Sequence, residues 1–234
     1  MEVSELISLI KSANNLVFLT GAGVSTHSGI PDYRSKTGIY NNMQNEEILS
    51  VDNLHNHPEI LRDFVLRNMY FPDAKPNIVH QVIADLSNRK GFLITQNIDG
   101  LDKLAGNNHV IEFHKNIQFA YCSVCGKHVS MDFYKNHLTH EEDGGLYRPN
   151  FTLYGEGIEP GNIENSVSEI SSADLIIVAG TSLKVYPFAG LIQYKKASTP
   201  VVIINNELPQ NLNNSIHFIQ GDVVDVFKEI KKAY

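Results

Sequence analysis

The stretch Thr20–Arg34 reads Thr-Gly-Ala-Gly-Val-Ser-Thr-His-Ser-Gly-Ile-Pro-Asp-Tyr-Arg and directly follows the apolar run Leu16–Leu19. The apolar run predicts a buried strand. The glycines at positions 21 and 23 predict a tight turn that lets the backbone approach a pyrophosphate closely. The residues after the turn can open a helix whose free N–H groups face the phosphates. The third glycine of the common dinucleotide fingerprint is replaced in this region by Ser25 and Thr26, so the loop alone is a weak signal.

The rest of the chain alternates strand and helix patterns. Apolar runs predict strands over 15–20, 91–95, 109–113, 174–179 and 200–205. Most of these runs are continuous, which is typical of parallel strands covered on both faces by crossover helices. Helical patterns follow Ser4 and cover 58–69, 77–88, 163–171, 187–195 and 222–231. We therefore predict an α/β fold, a Rossmann-like doubly wound parallel sheet, in one domain over 1–234.

Composition narrows the class of protein. With 234 residues and 42% hydrophobic residues, the chain has the size and apolar content of one globular domain. A net charge of −7 argues against general nucleic-acid binding. No apolar run reaches 18 residues, so we expect no membrane span, and the start of the chain predicts no secretory signal. Two cysteines exclude a disulfide scaffold and favour a cytoplasmic protein.

Two segments depart from the alternating pattern. Residues 116–149 hold both cysteines and three histidines, and we predict that they form a small inserted module resembling a zinc ribbon. Residues 31–57 are mostly polar and carry few strand signals. We predict that they form a mobile cofactor loop with a short helix over the dinucleotide site.

Polar residues follow two further strands where those strands end. Gln96-Asn97-Ile98-Asp99 comes after the second predicted strand and His114 after the third. In open α/β sheets, ligands bind at this edge. Together with the tail Gly29–Arg34, these motifs resemble the sirtuin family of NAD-dependent protein deacylases over about residues 5–226. The compact length is similar to that of bacterial or archaeal members.

The resemblance implies NAD as the co-substrate and assigns its contacts. It places the pyrophosphate at Gly21, Ala22, Gly23 and Ser25, and the nicotinamide end near Asp32, Tyr33 and Arg34. Tyr33 stands where the family usually has phenylalanine. Gln96, Asn97 and Asp99 would hold the ribose hydroxyls and the nicotinamide amide. The adenosine side would contact Gly180, Thr181, Ser182, Asn205, Asp222 and Val223.

The family's catalytic histidine corresponds to His114, with Asn97 and Asp99 as further catalytic residues. In the implied reaction, the acyl oxygen attacks the nicotinamide ribose and expels nicotinamide. His114 then acts as general base, and water finally releases lysine and O-acyl-ADP-ribose. Two positions depart from the family: Lys115 replaces a glycine after the histidine, and Asp102 stands where a histidine is common. The Lys115 cation is expected to disfavour the charged form of His114.

An acyl-lysine protein or peptide is the implied substrate. It would add a strand between two extended segments, with contacts from Phe151, Tyr154, Gly155, Glu156 and Val185. Relatives that remove acidic acyl groups carry a Tyr-x-x-Arg pair, and the matching positions here are Phe64 and Arg67. Because the phenol is missing, we expect acetyl or other neutral acyl groups.

Cys122 and Cys125 form a C-x-x-C pair, which is half of a tetrahedral zinc site. The family usually adds a second pair before a Gly-Gly-Leu-x-Arg-Pro segment, and its two positions carry His140 and Asp143 here. The resemblance thus implies a structural Cys₂HisAsp zinc centre, with His137 as a rival ligand and loss of the metal as the alternative.

Other functions remain open at the level of sequence. A protein ADP-ribosyltransferase or an NAD hydrolase on the same scaffold is the main alternative, although transferring relatives often lack the histidine base that this chain retains. A third possibility is an NAD-responsive binding module without turnover. A hydride-transferring dehydrogenase is disfavoured because the chain has neither an acidic residue ending the second strand nor a separate substrate domain.

Overall fold

The computed structural model describes residues 1–32, 44–207 and 216–234. Its centre is a six-stranded sheet in the order β3-β2-β1-β7-β8-β9. The strands are β1 (Leu16–Thr20), β2 (Gly91–Thr95), β3 (Val110–Glu112), β7 (Leu175–Ala179), β8 (Val201–Asn205) and β9 (Ile216–Gln220). Every neighbouring pair is parallel. The predicted α/β fold with a parallel sheet is confirmed.

Helices cover both faces of this sheet. On one face, α1 (Val3–Ser12), α5 (Ile78–Lys90) and α9 (Val223–Lys232) pack in a cluster that includes Phe18. On the other, α8 (Pro160–Ser172) and a 3₁₀-helix (Phe188–Tyr194) pack in a cluster that includes Val17 and Leu19. Successive side chains of a strand point to opposite faces, so all five β1 residues are buried.

A second, antiparallel sheet is formed by the part of the chain between β3 and β7. It contains β4 (Lys115–Cys122), β5 (His128–Ser130) and β6 (Tyr147–Phe151) in the order β5-β4-β6, with α7 (Met131–Asn136) between β5 and β6. A third apolar cluster joins this sheet to α3 (Val51–Asn56) and α4 (Pro58–Asn68). The remaining short helices are α2 (Gln44–Ile48) and α6 (Leu101–Leu104).

Several local predictions need correction. The glycine turn opens into two three-residue 3₁₀ turns, Ala22–Val24 and Thr26–Ser28, rather than a longer helix. The first helix, expected after Ser4, begins at Val3, and Glu2 is its N-cap in a capping box with Glu5. The helix expected over 187–195 is a 3₁₀-helix, and β9 was not predicted.

Tyr33 and Arg34 lie outside the described residues, as does the 33–43 part of the predicted cofactor loop. Within the described ranges, no helix has the length and apolar character needed to cross a membrane.

Candidate active site

A cavity of about 800 Å³ opens where β1, β2, β7 and β8 end. It brings together most of the predicted site residues. Those that line it are Ala22, Gly23, Asp32, Gln96, Asn97, His114, Phe151, Tyr154, Gly155, Glu156, Gly180, Thr181, Ser182, Val185, Asn205 and Val223. A volume of this size is in the range of small-molecule and cofactor sites.

Of the predicted residues that the structure describes, four do not line the cavity. Ser25 is fully buried and hydrogen-bonds to Asp99, so both support the lining residues instead. Gly21 packs against Thr181, where an added Cβ would lie 2.8 Å from the threonine Cβ. Asp222 caps α9 by accepting the Val224 N–H at 2.8 Å, and its other oxygen lies 2.9 Å from the His27 ring.

The phosphate loop touches the loop after β7 backbone to backbone. The Gly23 N–H donates to the Gly180 carbonyl at 2.9 Å. A Cβ on Gly23 would lie 2.8 Å from Gly180 Cα, and Gly180 itself has a φ of +60°. Both positions therefore require glycine, which leaves bare backbone at the cavity wall. This surface fits a pyrophosphate, which needs close approach to peptide N–H groups.

A buried hydrogen-bond network centred on Ser25 lies behind this wall. The Ser25 hydroxyl donates to Asp99 Oδ2 at 2.7 Å and accepts from Asn97 Nδ2 at 3.1 Å. The Leu101 N–H donates to the other Asp99 oxygen at 2.9 Å. Burial raises the pKa of Asp99, although these two donors favour its charged form. The network fixes the direction of both the Asn97 amide and the Asp99 carboxyl.

His80, which sequence reasoning missed, completes this network from α5. The Asn77 N–H donates to His80 Nδ1 at 3.2 Å, so the ring proton resides on Nε2. Nε2 lies 3.3 Å from the Ser25 hydroxyl and donates to it. Burial lowers the pKa of His80 to about 4, which keeps the ring neutral. Its position inside a helix gave no sequence signal, because a helical histidine is usually structural.

His114 lines the cavity with a defined tautomer. Its Nδ1 lies 3.2 Å from the Gln96 carbonyl and donates to it, so Nε2 is the nitrogen left to accept a proton. Burial lowers the pKa of His114, and the Gln96 carbonyl only partly opposes this. The reason for a neutral His114 is thus burial, and not the neighbouring Lys115 as predicted. The Lys115 ammonium pairs with Glu159 at 3.2 Å.

One wall of the cavity is apolar. It consists of Leu49, Met69, Ile98, Phe151 and Leu153. Only Phe151 was predicted, since apolar residues of a wall look the same in sequence as those of a core. Neither Phe64 nor Arg67 lines the described cavity. The wall has the character needed to hold a neutral acyl chain away from water.

The segment predicted to pair with a peptide is held in place by hydrogen bonds of Tyr154 and Glu156. The Tyr154 N–H donates to the Leu49 carbonyl at 2.9 Å, and the Val51 N–H donates to the Tyr154 carbonyl at 3.0 Å. Glu156 forms two contacts with the Arg148 guanidinium, one of them at 2.8 Å, and accepts the Leu153 N–H at 2.7 Å. Further lining residues that were not predicted are Thr26, Gly157, Ile158, Lys184, Asn206 and Glu207.

A second cluster of side chains, in the antiparallel sheet region, has the geometry of a metal centre. Ligand atoms of Cys122, Cys125, His140 and Asp143 all lie within 4.8 Å of one another. Cys122 Sγ is 3.4 Å from Asp143 Oδ1, Cys125 Sγ is 3.5 Å from His140 Nδ1, and that Nδ1 is 3.0 Å from Asp143 Oδ1. Zinc bonds of about 2.0–2.3 Å imply tetrahedral edges of about 3.3–3.6 Å. The donor set therefore fits zinc.

Surrounding contacts support this cluster. Glu142 and Lys127 lie 3.6 Å and 3.4 Å from His140 Nε2, whereas Nδ1 of the same ring is the atom near the other donors. A Cβ on Gly145 would collide with Cys122 Sγ, so glycine is required beside the thiol. The rival ligand His137 is not part of this group: its Nδ1 is 2.9 Å from the Phe133 carbonyl and its ring stacks on Phe133.

Comparisons with known proteins agree with this arrangement. Residues 21–187 match the model of the Sir2 family. An NAD-dependent protein deacetylase of Lactiplantibacillus plantarum is 43% identical over 232 residues, covering 98% of this chain and 99% of that protein. A Sir2 structure with a deacetylated p53 peptide and 3′-O-acetyl ADP-ribose has a TM-score of 0.91 at 31% identity, with 99% and 98% of the two chains covered. A Sir2 complex with a p53 peptide and NAD⁺ has a TM-score of 0.86 at 30% identity, with 99% and 98% covered.

Proposed function

The chain belongs to the Sir2 family, and we propose from that premise that it is an NAD-dependent protein deacetylase with His114 as the general base. The observation that carries this assignment is His114 itself, a neutral histidine at the cavity wall whose Nδ1 is bound to the Gln96 carbonyl. A general base must be unprotonated and fixed in direction at working pH. The products are nicotinamide, free lysine and O-acyl-ADP-ribose.

Each group of site residues has a distinct task. NAD, when bound, supplies the electrophilic ribose carbon and nicotinamide as leaving group. The backbone of Ala22 and Gly23, with that of Gly180, holds the pyrophosphate. Asn97 orients the nicotinamide ribose, and Ser25, itself bonded to Asp99, fixes the direction of the Asn97 amide. His114 Nε2 then takes the proton from a ribose hydroxyl, and Asn97 holds ribose or water in place.

The substrate is an acyl-lysine protein or peptide. The backbone around Gly155 pairs with it on one side and the Val185 segment on the other, since the Tyr154 N–H and carbonyl are already bonded to Leu49 and Val51. The apolar wall that includes Leu49 and Met69 holds the acyl group and excludes water. Because Arg67 is not among the residues lining the described cavity, we propose acetyl and other neutral acyl groups as the preferred substrates.

We further propose that Cys122, Cys125, His140 and Asp143 hold a structural zinc ion. All four positions would be protein ligands, so no open coordination position remains for chemistry. The ion would tie the Cys122–Cys125 turn, which follows β4, to the segment before β6. The module over 116–149 would then depend on it for rigidity. A cytoplasmic location is also part of this proposal, since a reducing compartment keeps both thiols available.

The decisive experiment is mass spectrometry of an acetyl-lysine peptide incubated with the protein, with and without NAD. We expect deacetylation only with NAD, and one O-acetyl-ADP-ribose for each lysine released. His114→Ala should lower turnover by about 10²–10⁴-fold while NAD–nicotinamide exchange persists. His217→Ala, on the exposed side of edge strand β9, is the matched control and should act as wild type.

An untouched peptide with nicotinamide still released would contradict a deacetylase and favour an NAD hydrolase or an ADP-ribosyltransferase. Transfer of ADP-ribose to the peptide, visible as a mass increase, separates these two alternatives.

A further inference from the structure

Asn77 is a polar residue beside the phosphate loop that the proposed reaction does not use. It is the N-cap of α5, and its Oδ1 accepts the Val79 N–H at 2.8 Å. Its Nδ2 donates to the Val24 carbonyl at 2.8 Å and to the Ser28 hydroxyl at 2.9 Å. The orientation of the amide is unambiguous, because a carbonyl can only accept and an N–H can only donate. One side chain thus joins the start of α5 to the phosphate loop at two points.

The two contacts of this amide reach both turns of the phosphate loop. Val24 ends the first 3₁₀ turn, and Ser28 ends the second. Each turn also contributes to the cavity wall, the first through Gly23 and the second through Thr26. Asn77 itself does not line the described cavity. It can therefore affect a ligand only through the position of the loop.

The loop has little internal support. Each of its turns contains three residues, and 3₁₀ turns have poorer hydrogen-bond geometry than an α-helix. The glycines at positions 21 and 23 add backbone freedom, which is lost when a ligand orders the loop. External hydrogen bonds reduce this loss, because a site already held in its bound shape has less freedom to lose on binding. The Asn77 amide supplies two such bonds from the start of a 13-residue helix.

We propose that Asn77 is a positioning residue for NAD binding: its side-chain amide clamps both turns of the phosphate loop in the shape that receives the pyrophosphate. The clamp consists of the two hydrogen bonds to Val24 and Ser28. This inference rests on the proposed function, since it concerns the loop that would hold NAD.

The clamp is separate from the buried network around Ser25. The backbone N–H of Asn77, and not its side chain, donates to His80 Nδ1. Side-chain substitutions at Asn77 therefore leave this support of the network in place. His114 is held by the Gln96 carbonyl and is equally independent of the clamp. We expect the affinity for NAD to depend on the clamp, and kcat at saturating NAD to depend on it little.

The test must separate the clamp from the cap, because Asn77 also stabilises α5 as its N-cap. Serine is about as good an N-cap as asparagine, but its single, shorter hydroxyl cannot donate to both Val24 and Ser28. Asn77→Ser therefore keeps the cap and removes the clamp, whereas Asn77→Ala removes both. Ser28→Ala removes one of the two bonds of the clamp.

Asn88→Ser is the matched control, at the other end of α5. Like Asn77, Asn88 donates to a carbonyl, that of Gly106 at 2.8 Å, and accepts an N–H, that of Asn108 at 2.9 Å. It does not line the described cavity. This variant should lower the melting temperature and leave the Kd for NAD unchanged.

NAD affinity is measured by isothermal titration calorimetry, and kcat and KM by deacetylation of an acetyl-lysine peptide. We expect Asn77→Ser to raise the Kd for NAD about tenfold and Ser28→Ala about threefold, the effects of two lost hydrogen bonds and of one. The kcat at saturating NAD and the KM for the peptide should stay within about threefold of wild type. Asn77→Ala should match Asn77→Ser in Kd but melt at a lower temperature, because only alanine loses the cap.

A wild-type Kd for NAD in Asn77→Ser would overturn the proposal. So would a much higher Kd in Asn77→Ala than in Asn77→Ser, since the loss would then follow the cap, or an equal rise in Asn88→Ser, since it would then follow stability. If the Asn77 variants do not fold, Ser28→Ala against Asn88→Ser decides alone. A wild type that binds NAD without deacetylating contradicts the proposed function, and the comparison of Kd values still decides on the clamp.

Discussion

The Ser25 hydroxyl donates a 2.7 Å hydrogen bond to Asp99 Oδ2 and thereby joins the phosphate loop after β1 to the polar turn after β2. Two sequence motifs separated by more than seventy residues thus share one buried contact. Since Ser25 also accepts from Asn97 and His80, its removal affects three side chains at once.

Ser25→Ala is therefore expected to lower kcat/KM for NAD strongly. A hydrogen bond to a charged group contributes about 1.5–3 kcal/mol, which corresponds to about 10–150-fold. Steady-state kinetics with varied NAD measures this loss. Ser8→Ala, at an exposed hydroxyl that bonds only within α1, is the control. A Ser25 variant as active as this control would show that the network is not needed for NAD.

The pH dependence of kcat/KM should report the neutral state of His114. Its active form is unprotonated, so activity falls as pH drops through its pKa. Burial lowers that pKa from the ordinary value of 6.5, and the acid limb should lie below pH 6.5 in the free enzyme. Rates from pH 5 to 8 in one ionic-strength-matched buffer series give the profile. An acid limb at or above pH 6.5 would argue that His114 is more solvated than described.

Gly145→Ala is expected to reduce metal content without touching a ligand. The added methyl group would collide with Cys122 Sγ and displace the thiol. Gly144→Ala is the matched control: it has a φ of +71° but open space around its Cβ position, so it adds strain of about 1 kcal/mol and keeps the ion. Zinc per chain, measured by elemental analysis after dialysis against a weak chelator, distinguishes them. Equal zinc in both variants would contradict the assigned ligand set.

Lys115→Gly should stabilise the protein. Lys115 has a φ of +61°, which costs a non-glycine residue about 1–2 kcal/mol. Its half-exposed ion pair with Glu159 contributes at most about 1 kcal/mol to the free energy of unfolding. Thermal unfolding should therefore show a gain of about 1–3 °C. Lys115→Ala loses the ion pair but keeps the strain, so it should show no gain. The reverse order of the two variants would refute a strained backbone here.

Asp102→Asn should stabilise the protein increasingly as pH rises from acid to neutral. The folded state holds the Asp102 proton more tightly than the unfolded state, so this group's favourable contribution is complete below its usual pKa of 3.8. It declines as pH rises toward the raised folded value. Asparagine has no such loss. Chemical unfolding at pH 3.5 and pH 7 tests this, and a difference between the two proteins that stays constant across this range would contradict a raised pKa.

Sequence patterns predicted the site residues correctly where the site needs a particular type of residue. Gly23, Asn97 and His114 stand out from their neighbours, and each is at the cavity. Leu49 and Met69 have the same apolar character as core residues, and nothing in the sequence marks them as a wall. Two features could not be predicted from local periodicity: that the helix over 187–195 is a 3₁₀-helix, and that His80 bonds to Ser25 in a buried network. Both depend on packing between segments that are distant in sequence.

The order of the central sheet has a consequence for where any ligand must bind. β1 and β7 are neighbours at the centre of the sheet. β2 and β3 follow on the β1 side, and β8 and β9 follow on the β7 side. The connection after β1 packs α5 on one face, whereas the one after β7 packs the 3₁₀-helix on the opposite face. Adjacent strands whose connections diverge form a topological switch point, and a crevice must open above them. Backbone topology thus sets the location of the site, and substitutions in its wall alter which molecule it accepts without relocating it.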